Sequence, residues 1–154
     1  MRAVKKCLST SLLLACTVLA SSASAQESRV AKQAMRCTAF FLVLSDQAMV
    51  QNFADAFVKE LGEKGVTISD ADMQQRRELV LQELRNSYSS NQAAVVEEAV
   101  FCGAWSEGYR LQGDKPTYIP ILPKIIPQTV RENYAGLAST AFTKWLSSKP
   151  AADK

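Results

Sequence analysis

The stretch R-V-A-K-Q-A-M-R-C-T-A-F-F-L-V-L, residues 29–44, decides the fold class of this chain. Its apolar side chains recur every three or four residues, which is the spacing of one face of an α-helix. The residues on this face are Val30, Ala34, Cys37, Phe41 and Leu44. More apolar residues lie beside them in the second half of the segment, which predicts a helix buried on nearly all sides at that end.

Four more segments show the helical period, and signals for the start of a helix precede them. Ser45-Asp46 precedes a helix that starts at about residue 47, and Ser69 precedes one that starts at about residue 70. Ser90-Asn91 precedes a helix over about 92–111, and Pro127 precedes one over about 128–146. Gly62 and Gly65 are typical of the end of the second helix. No strand pattern accompanies them, so the sequence predicts an all-α bundle of four or five helices.

The last two helices have predicted buried faces that carry both tryptophans and two of the four tyrosines. In the fourth helix the face is Ala94, Val95, Ala99, Cys102, Trp105 and Tyr109. In the fifth it is Val130, Tyr134, Leu137, Ala141 and Trp145, with Ala138 and Phe142 alongside. Aromatic residues at this spacing indicate core packing, and the walls of an apolar pocket are the alternative. Gly103 inside a helix predicts a close approach, which we expect from the first helix beside Cys102.

The first 25 residues have the three parts of a secretory signal peptide. They are a basic start at Arg2, Lys5 and Lys6, an uncharged apolar stretch over 7–20, and a cleavage motif at Ala23-Ser24-Ala25. The apolar stretch is short for a transmembrane helix, which needs about 20 residues. The sequence thus predicts a cleaved signal peptide over 1–25, a helical domain over 26–146, a disordered polar tail over 147–154, and a periplasmic or secreted location.

A lipid anchor is the competing interpretation of this leader. Leu13-Leu14-Ala15-Cys16 resembles a bacterial lipoprotein box, in which Cys16 would be lipidated. The bulky Leu14 and the very short apolar stretch before the cut favour cleavage after Ala25 instead.

Two cysteines, Cys37 and Cys102, remain after cleavage. In an oxidising compartment a disulfide is expected between them. It would close a loop of about 65 residues and contribute roughly 4 kcal/mol in the chain-entropy model. A redox pair would favour the C-x-x-C spacing and a zinc site would need four ligands, so the redox role and two free thiols are the weaker alternatives.

Composition excludes several chemistries. The chain of 154 residues contains no His, which removes Ser-His-Asp and Cys-His nucleophile pairs, HExxH zinc sites and His-ligated haem. Residues 26–154 carry 15 basic and 15 acidic residues, so the basic surface of a nucleic-acid-binding protein is not expected. No metal or cofactor is predicted. Glu97 and Glu98 are adjacent, diverge by about 100° on a helix, and are expected to face water.

The connection over residues 113–127 is unusually long and apolar for a helical bundle. It contains four of the five prolines, which prevent a continuous helix and favour an extended chain. One interpretation is that its apolar side chains fold back and cover one end of the core. The other is a recognition edge or lid that meets a partner or an apolar ligand. The candidate contact residues are Tyr118, Ile119, Ile121, Leu122, Ile125 and Ile126.

These observations predict a small exported, non-catalytic interaction protein, such as an adaptor, an inhibitor or an immunity protein, whose partner is another protein of the cell envelope. In architecture the chain resembles small exported bacterial helical domains with one disulfide, among them periplasmic immunity proteins, although no motif of theirs is present. A carrier of a small apolar ligand is the alternative. An enzyme is the weakest hypothesis, because it would need residues such as Glu97, Glu98, Arg110, Asp114 and Tyr118 around one cleft.

Overall fold

Five α-helices make up residues 28–110 and 123–148, which are the parts of the chain that this computed structural model describes. They are α1 Arg29–Val43, α2 Gln47–Glu63, α3 Asp70–Ser90, α4 Gln92–Arg110 and α5 Gln128–Ser147. These two ranges contain no strand, so the predicted all-α class is confirmed. The predicted signal peptide and residues 149–154 of the predicted tail lie outside the described residues, while α5 extends one residue past its predicted end.

Helix boundaries follow the local signals. The side chains of Asp46, Ser69 and Asn91 accept hydrogen bonds from the backbone N–H three residues later, at 3.1–3.2 Å, as expected for N-caps. At the end of α2 the backbone N–H of Gly65 donates to the carbonyl of Gly62 and that of Val66 to the carbonyl of Leu61. This pair of bonds, with Gly65 at φ 72°, is a Schellman motif, and it ends the helix where Gly65 predicted.

The start of α1 is tied to the end of α2 by a residue that the sequence did not single out. Ser28 caps α1 by accepting a hydrogen bond from the backbone N–H of Ala31 at 3.0 Å. Its hydroxyl also donates to the carboxylate of Glu60 at 2.6 Å, and Glu60 is buried. A carboxylate at this position also interacts favourably with the positive end of the α1 dipole.

The core forms around α1, which contacts each of the other four helices. Aromatic rings extend from it in two directions, since Phe41 packs on Phe53 and Phe53 on Trp105, with centroid distances of 5.5 and 5.0 Å. On the other side Phe40 packs on Phe142 at 6.1 Å and Tyr88 on Phe142 at 5.0 Å. Aromatic pairs at these distances add stability beyond the burial of their surface.

The predicted pairing of Cys37 with Cys102 is confirmed. The two residues form a disulfide that joins α1 to α4, with their Cα atoms 5.2 Å apart. Both are fully buried, and the side-chain amide of Gln33 lies 3.8 Å from each sulfur.

The predicted buried faces of α4 and α5 were partly wrong. In α5 the buried residues are Tyr134, Ala138 and Phe142, while Leu137 keeps 46% of its surface exposed. Ala138 and Phe142, which were predicted only to lie alongside this face, are buried, and Phe142 packs on Phe40 of α1 and Tyr88 of α3. In α4, Ala94 is exposed, whereas Val100 and Ser106 are buried.

The prediction that α1 approaches Gly103 was wrong, because the neighbour is Tyr134 of α5. A Cβ atom built on Gly103 would lie 2.2–2.4 Å from three ring atoms of Tyr134, far inside van der Waals contact. The missing side chain therefore lets the Tyr134 ring lie directly on the backbone of α4.

Replacing Gly103 by Ala should lower the free energy of unfolding by about 1–3 kcal/mol, because the Tyr134 ring must move out of a packed core. Gly136→Ala is the matched control, since nothing lies within 4 Å of its Cβ position in α5 and Ala is the better helix former by about 1 kcal/mol. Urea denaturation of both variants measures the difference. Equal stabilisation by both substitutions would contradict the close approach at Gly103.

Candidate functional site

The described part of the long connection, residues 123–127, presents one isoleucine to solvent and packs the next. Ile125 keeps 87% of its surface exposed, whereas Ile126 is half-buried against the core cluster. Pro123 and Pro127 bracket the pair, and Pro127 precedes the first turn of α5. Of the predicted contact residues, Tyr118, Ile119, Ile121 and Leu122 lie outside the described residues.

A groove of about 270 Å³ opens between α1 and α3. Its apolar part is formed by Met35, Leu79 and Val80, and its charged part by Lys32, Arg36, Arg76 and Glu83. Leu79 is 54% exposed. No pattern in the sequence predicted this groove. The one available signal was that Leu79 falls outside the helical stripe formed by Met73, Val80, Leu84 and Tyr88 in α3.

A second cleft, of about 480 Å³, lies on the other flank of α3. Leu61, Val66 and Ile68 line it from α2 and the α2–α3 turn, and Arg76 and Leu79 line it from α3. The guanidinium of Arg76 lies 5.8 Å from the centroid of the Phe57 ring, a cation–π distance. Arg76 and Leu79 thus border both clefts.

A third cleft, of about 440 Å³, lies between the end of α1 and the second half of α5. Leu42, Leu137 and Trp145 line it, with Lys144 as its one charged residue. Trp145 is half-buried, and the guanidinium of Arg85 lies 4.7 Å from the centroid of its ring.

Glu97 and Glu98 have separate ion-pair partners. Arg131 of α5 donates to Glu97 at 2.6 Å, and Glu97 is exposed. Glu98 did not meet the expectation that it faces water, because Nε and Nη2 of Arg36 both donate to its carboxylate and only 20% of its side chain is exposed. With Asp114 and Tyr118 outside the described residues, and the Arg110 side chain likewise, no catalytic set is described.

Arg36 links three helices through its charge. Besides its hydrogen bonds to Glu98 of α4, the guanidinium of Arg36 donates to Glu83 of α3 at 3.1 Å. One side chain of α1 thus joins carboxylates of α3 and α4. The hydrogen bond to Glu98 is the main reason that the pKa of Arg36 is raised, opposed by burial and aided by the charges of Glu98 and Glu83. Arg36 therefore stays charged throughout the physiological range.

Of the aromatic residues in the predicted faces, Trp105 and Tyr134 belong to the core. Both are buried, and the Tyr134 hydroxyl donates to Glu107 at 2.9 Å and lies 3.0 Å from the hydroxyl of Ser106. Trp145 lines the third cleft, and the side chain of Tyr109 lies outside the described residues.

Two searches over the described residues were negative. No three His, Cys, Asp or Glu side chains there come together as ligands for a metal ion. None of the helices within residues 28–110 and 123–148 combines the length and hydropathy needed to cross a membrane.

Comparison with protein families, curated proteins and solved structures finds no match to this chain.

Replacing Arg36 by Met should lower the free energy of unfolding by about 1–2 kcal/mol, because the half-buried carboxylate of Glu98 would lose its partner. Arg131→Met is the matched control, and it should cost less than about 0.5 kcal/mol because Glu97 remains in water. Urea denaturation at neutral pH measures both, and adding Glu98→Leu to Arg36→Met should recover part of the loss. If Arg36→Met and Arg131→Met lowered the free energy of unfolding by similar amounts, the ion pair of Arg36 with Glu98 would contribute no more to stability than the pair of Arg131 with Glu97.

Proposed function

We propose that this protein is an exported, non-catalytic interaction protein of the cell envelope, which binds a partner protein through the connection over residues 114–127. An adaptor, an inhibitor and an immunity protein are the kinds of protein that this description covers.

The exposure of Ile125 is the observation that carries the proposal. An isoleucine side chain gains about 1.5–3 kcal/mol when it moves from water into an apolar contact. Ile126 anchors the same segment to the core, and the rings of Pro123 and Pro127 limit its backbone freedom. A partner that covers Ile125 therefore gains the free energy of this burial, and few rotatable bonds of the segment lose conformational freedom when it binds.

Export is supported by the pattern of residues 1–25 and by the disulfide. The bond between Cys37 and Cys102 is consistent with an oxidising compartment, where such bonds form and persist. The equal numbers of basic and acidic residues in 26–154 favour a protein partner over a nucleic acid.

Replacing Ile125 by Asp should reduce partner binding at least about tenfold, because a charge replaces the apolar contact. Val58→Asp is the matched control, since Val58 is also an exposed aliphatic residue but lies on α2. Proteins captured from periplasmic extract by immobilised wild-type, Ile125→Asp and Val58→Asp proteins would be quantified by mass spectrometry, and the melting temperature of each variant would establish that it is folded. An identical set of captured proteins for all three would refute a role for Ile125.

Carriage of a small apolar ligand is the second candidate function, and the cleft beside Trp145 favours it. The cleft of about 440 Å³ lies within the range of about 300–1,000 Å³ of small-molecule sites. Leu42, Leu137 and Trp145 would contact the apolar body of the ligand.

A carrier should retain its ligand when it is purified from the periplasm of its own cell. Native mass spectrometry would then find a bound mass, and Ala141→Phe, which fills the same cleft, should remove that mass. Protein that carries no added mass under these conditions would rule out this second function.

A further inference from the structure

We infer that Met73, near the start of α3, is a site of reversible oxidation to methionine sulfoxide, and that this oxidation loosens the first half of α3. The oxidant is a peroxide or a hypohalous acid, which transfers one oxygen atom to the sulfur. The inference concerns neither Ile125 nor the cleft beside Trp145, so it depends on neither of the two candidate functions.

Met73 is more accessible than the other methionines in the described parts of the chain. Met35 and Met49 are buried, with 3% and 6% of their surface exposed, whereas Met73 is half-buried. The sulfur atoms of Cys37 and Cys102 are joined in a buried disulfide, so they offer no thiol to the oxidant. Because exposure controls which sulfur is oxidised, the thioether of Met73 is the first that an oxidant reaches.

The first half of α3 has little other apolar contact with the rest of the protein. None of residues 70–79 is buried, and Met73 is the one apolar side chain among them that packs against the core cluster. Ala71 and Leu79, the other two apolar residues of this range, are exposed. Helical segments of about ten residues are marginal in water without tertiary contacts, so the stability of this half depends strongly on Met73.

The other contacts of this half-helix do not depend on Met73. The hydroxyl of Ser69 accepts a hydrogen bond from the backbone N–H at position 72, and Gln74 donates to Glu78 at 2.6 Å. The guanidinium of Arg76 lies 5.8 Å from the centroid of the Phe57 ring in α2. Because these contacts persist when Met73 is oxidised, we expect more frequent local opening of residues 70–79 and not their complete unfolding.

Oxidation reverses the preference of the Met73 side chain for the core. The thioether sulfur loses two electrons and gains the oxygen atom, while hydrogen peroxide is reduced to water or hypochlorous acid to chloride and a proton. The resulting sulfoxide is polar, so it favours water over an apolar contact. Methionine sulfoxide reductases restore the thioether, one enzyme for each sulfoxide epimer, with a dithiol that becomes a disulfide as the electron donor and water as the second product.

The loosening should end before the second half of α3. Leu84 and Tyr88 are buried there, and the Tyr88 ring packs on a core phenylalanine of α5. Each opening of the first half would lift Arg76 from the ring of Phe57, which is fully buried in the closed state. Oxidation of Met73 would therefore expose apolar surface of α2 while the core stays folded.

Treatment of the exported, purified protein with hydrogen peroxide tests this inference. Mass spectrometry of proteolytic peptides, sampled over time, measures the fraction of sulfoxide at each methionine. Met73 should be oxidised at least about tenfold faster than Met35 and Met49, because these two are reached only when the core opens. In the protein oxidised at Met73, the amides of residues 74–79 should exchange their hydrogens at least about tenfold faster, and those of α1 within about twofold of the untreated rate.

Two variants separate the oxidation of Met73 from other effects of peroxide. Met73→Leu keeps an apolar side chain of similar volume, so peroxide should leave the exchange of residues 74–79 unchanged. Met73→Gln places a polar side chain at the same position and should speed this exchange without peroxide. Ala71→Gln is the matched control, because it introduces the same side chain at an exposed residue of the same segment, and it should change the exchange by less than about threefold.

Four results would overturn the inference. The first two are oxidation of Met35 or Met49 as fast as that of Met73, and unchanged exchange of residues 74–79 in protein oxidised at Met73. The third is equal acceleration of exchange in all five helices, which would mean global unfolding. The fourth is faster exchange of residues 74–79 in peroxide-treated Met73→Leu, which would assign the effect to another residue.

Discussion

The burial of α1 among four other helices is the constraint on which the rest of this structure depends. Its second half carries Cys37, Phe40 and Phe41 at full or nearly full burial, so this part of α1 lies at the centre of the core. The disulfide to Cys102 joins α1 covalently to α4. Arg36, the residue beside Cys37, binds Glu98, one turn before Cys102, so a covalent bond and an ion pair stabilise the same interface.

The features that the proposals use lie at the margins of this core. The cleft beside Trp145 lies between the end of α1 and the second half of α5, and Ile125 belongs to the connection between α4 and α5. A rigid centre with apolar groups at its edge is a common arrangement for binding, because the edge residues can change without loss of the core.

Local features were predictable from the sequence, and tertiary contacts were less so. Asp46, Ser69, Asn91 and Gly65 act within one or two helical turns, so their roles follow from neighbouring residues alone. The Cys37–Cys102 pairing was predictable because the expected loss of the leader left only two cysteines. The neighbour of Gly103 was not, because a glycine indicates a close approach without identifying what approaches, and Tyr134 is distant in the sequence.

The candidate site shows the same division. The exposed Ile125 falls in a segment whose prolines and isoleucines are visible in the sequence, but which of the two adjacent isoleucines packs inward depends on the start of α5. Leu79 and Glu98 were missed or misplaced because their surroundings come from other helices. Neither a leucine outside the apolar stripe of its helix nor a glutamate on a polar face forms a distinctive pattern in the sequence. Their surroundings become clear only from the positions of Arg36 and Arg76 in the structure.

The contact between Ser28 and Glu60 has a consequence for maturation. Cleavage after Ala25, as proposed, would leave only Gln26 and Glu27 before the residue that caps α1 and binds the carboxylate of Glu60. A signal peptidase that cut a few residues later, or an aminopeptidase that trimmed past Glu27, would remove the N-cap of α1 and the hydrogen bond that Ser28 donates to Glu60 of α2. Natural variation in the cleavage site of such a protein should accordingly extend toward the leader and stop at Ser28.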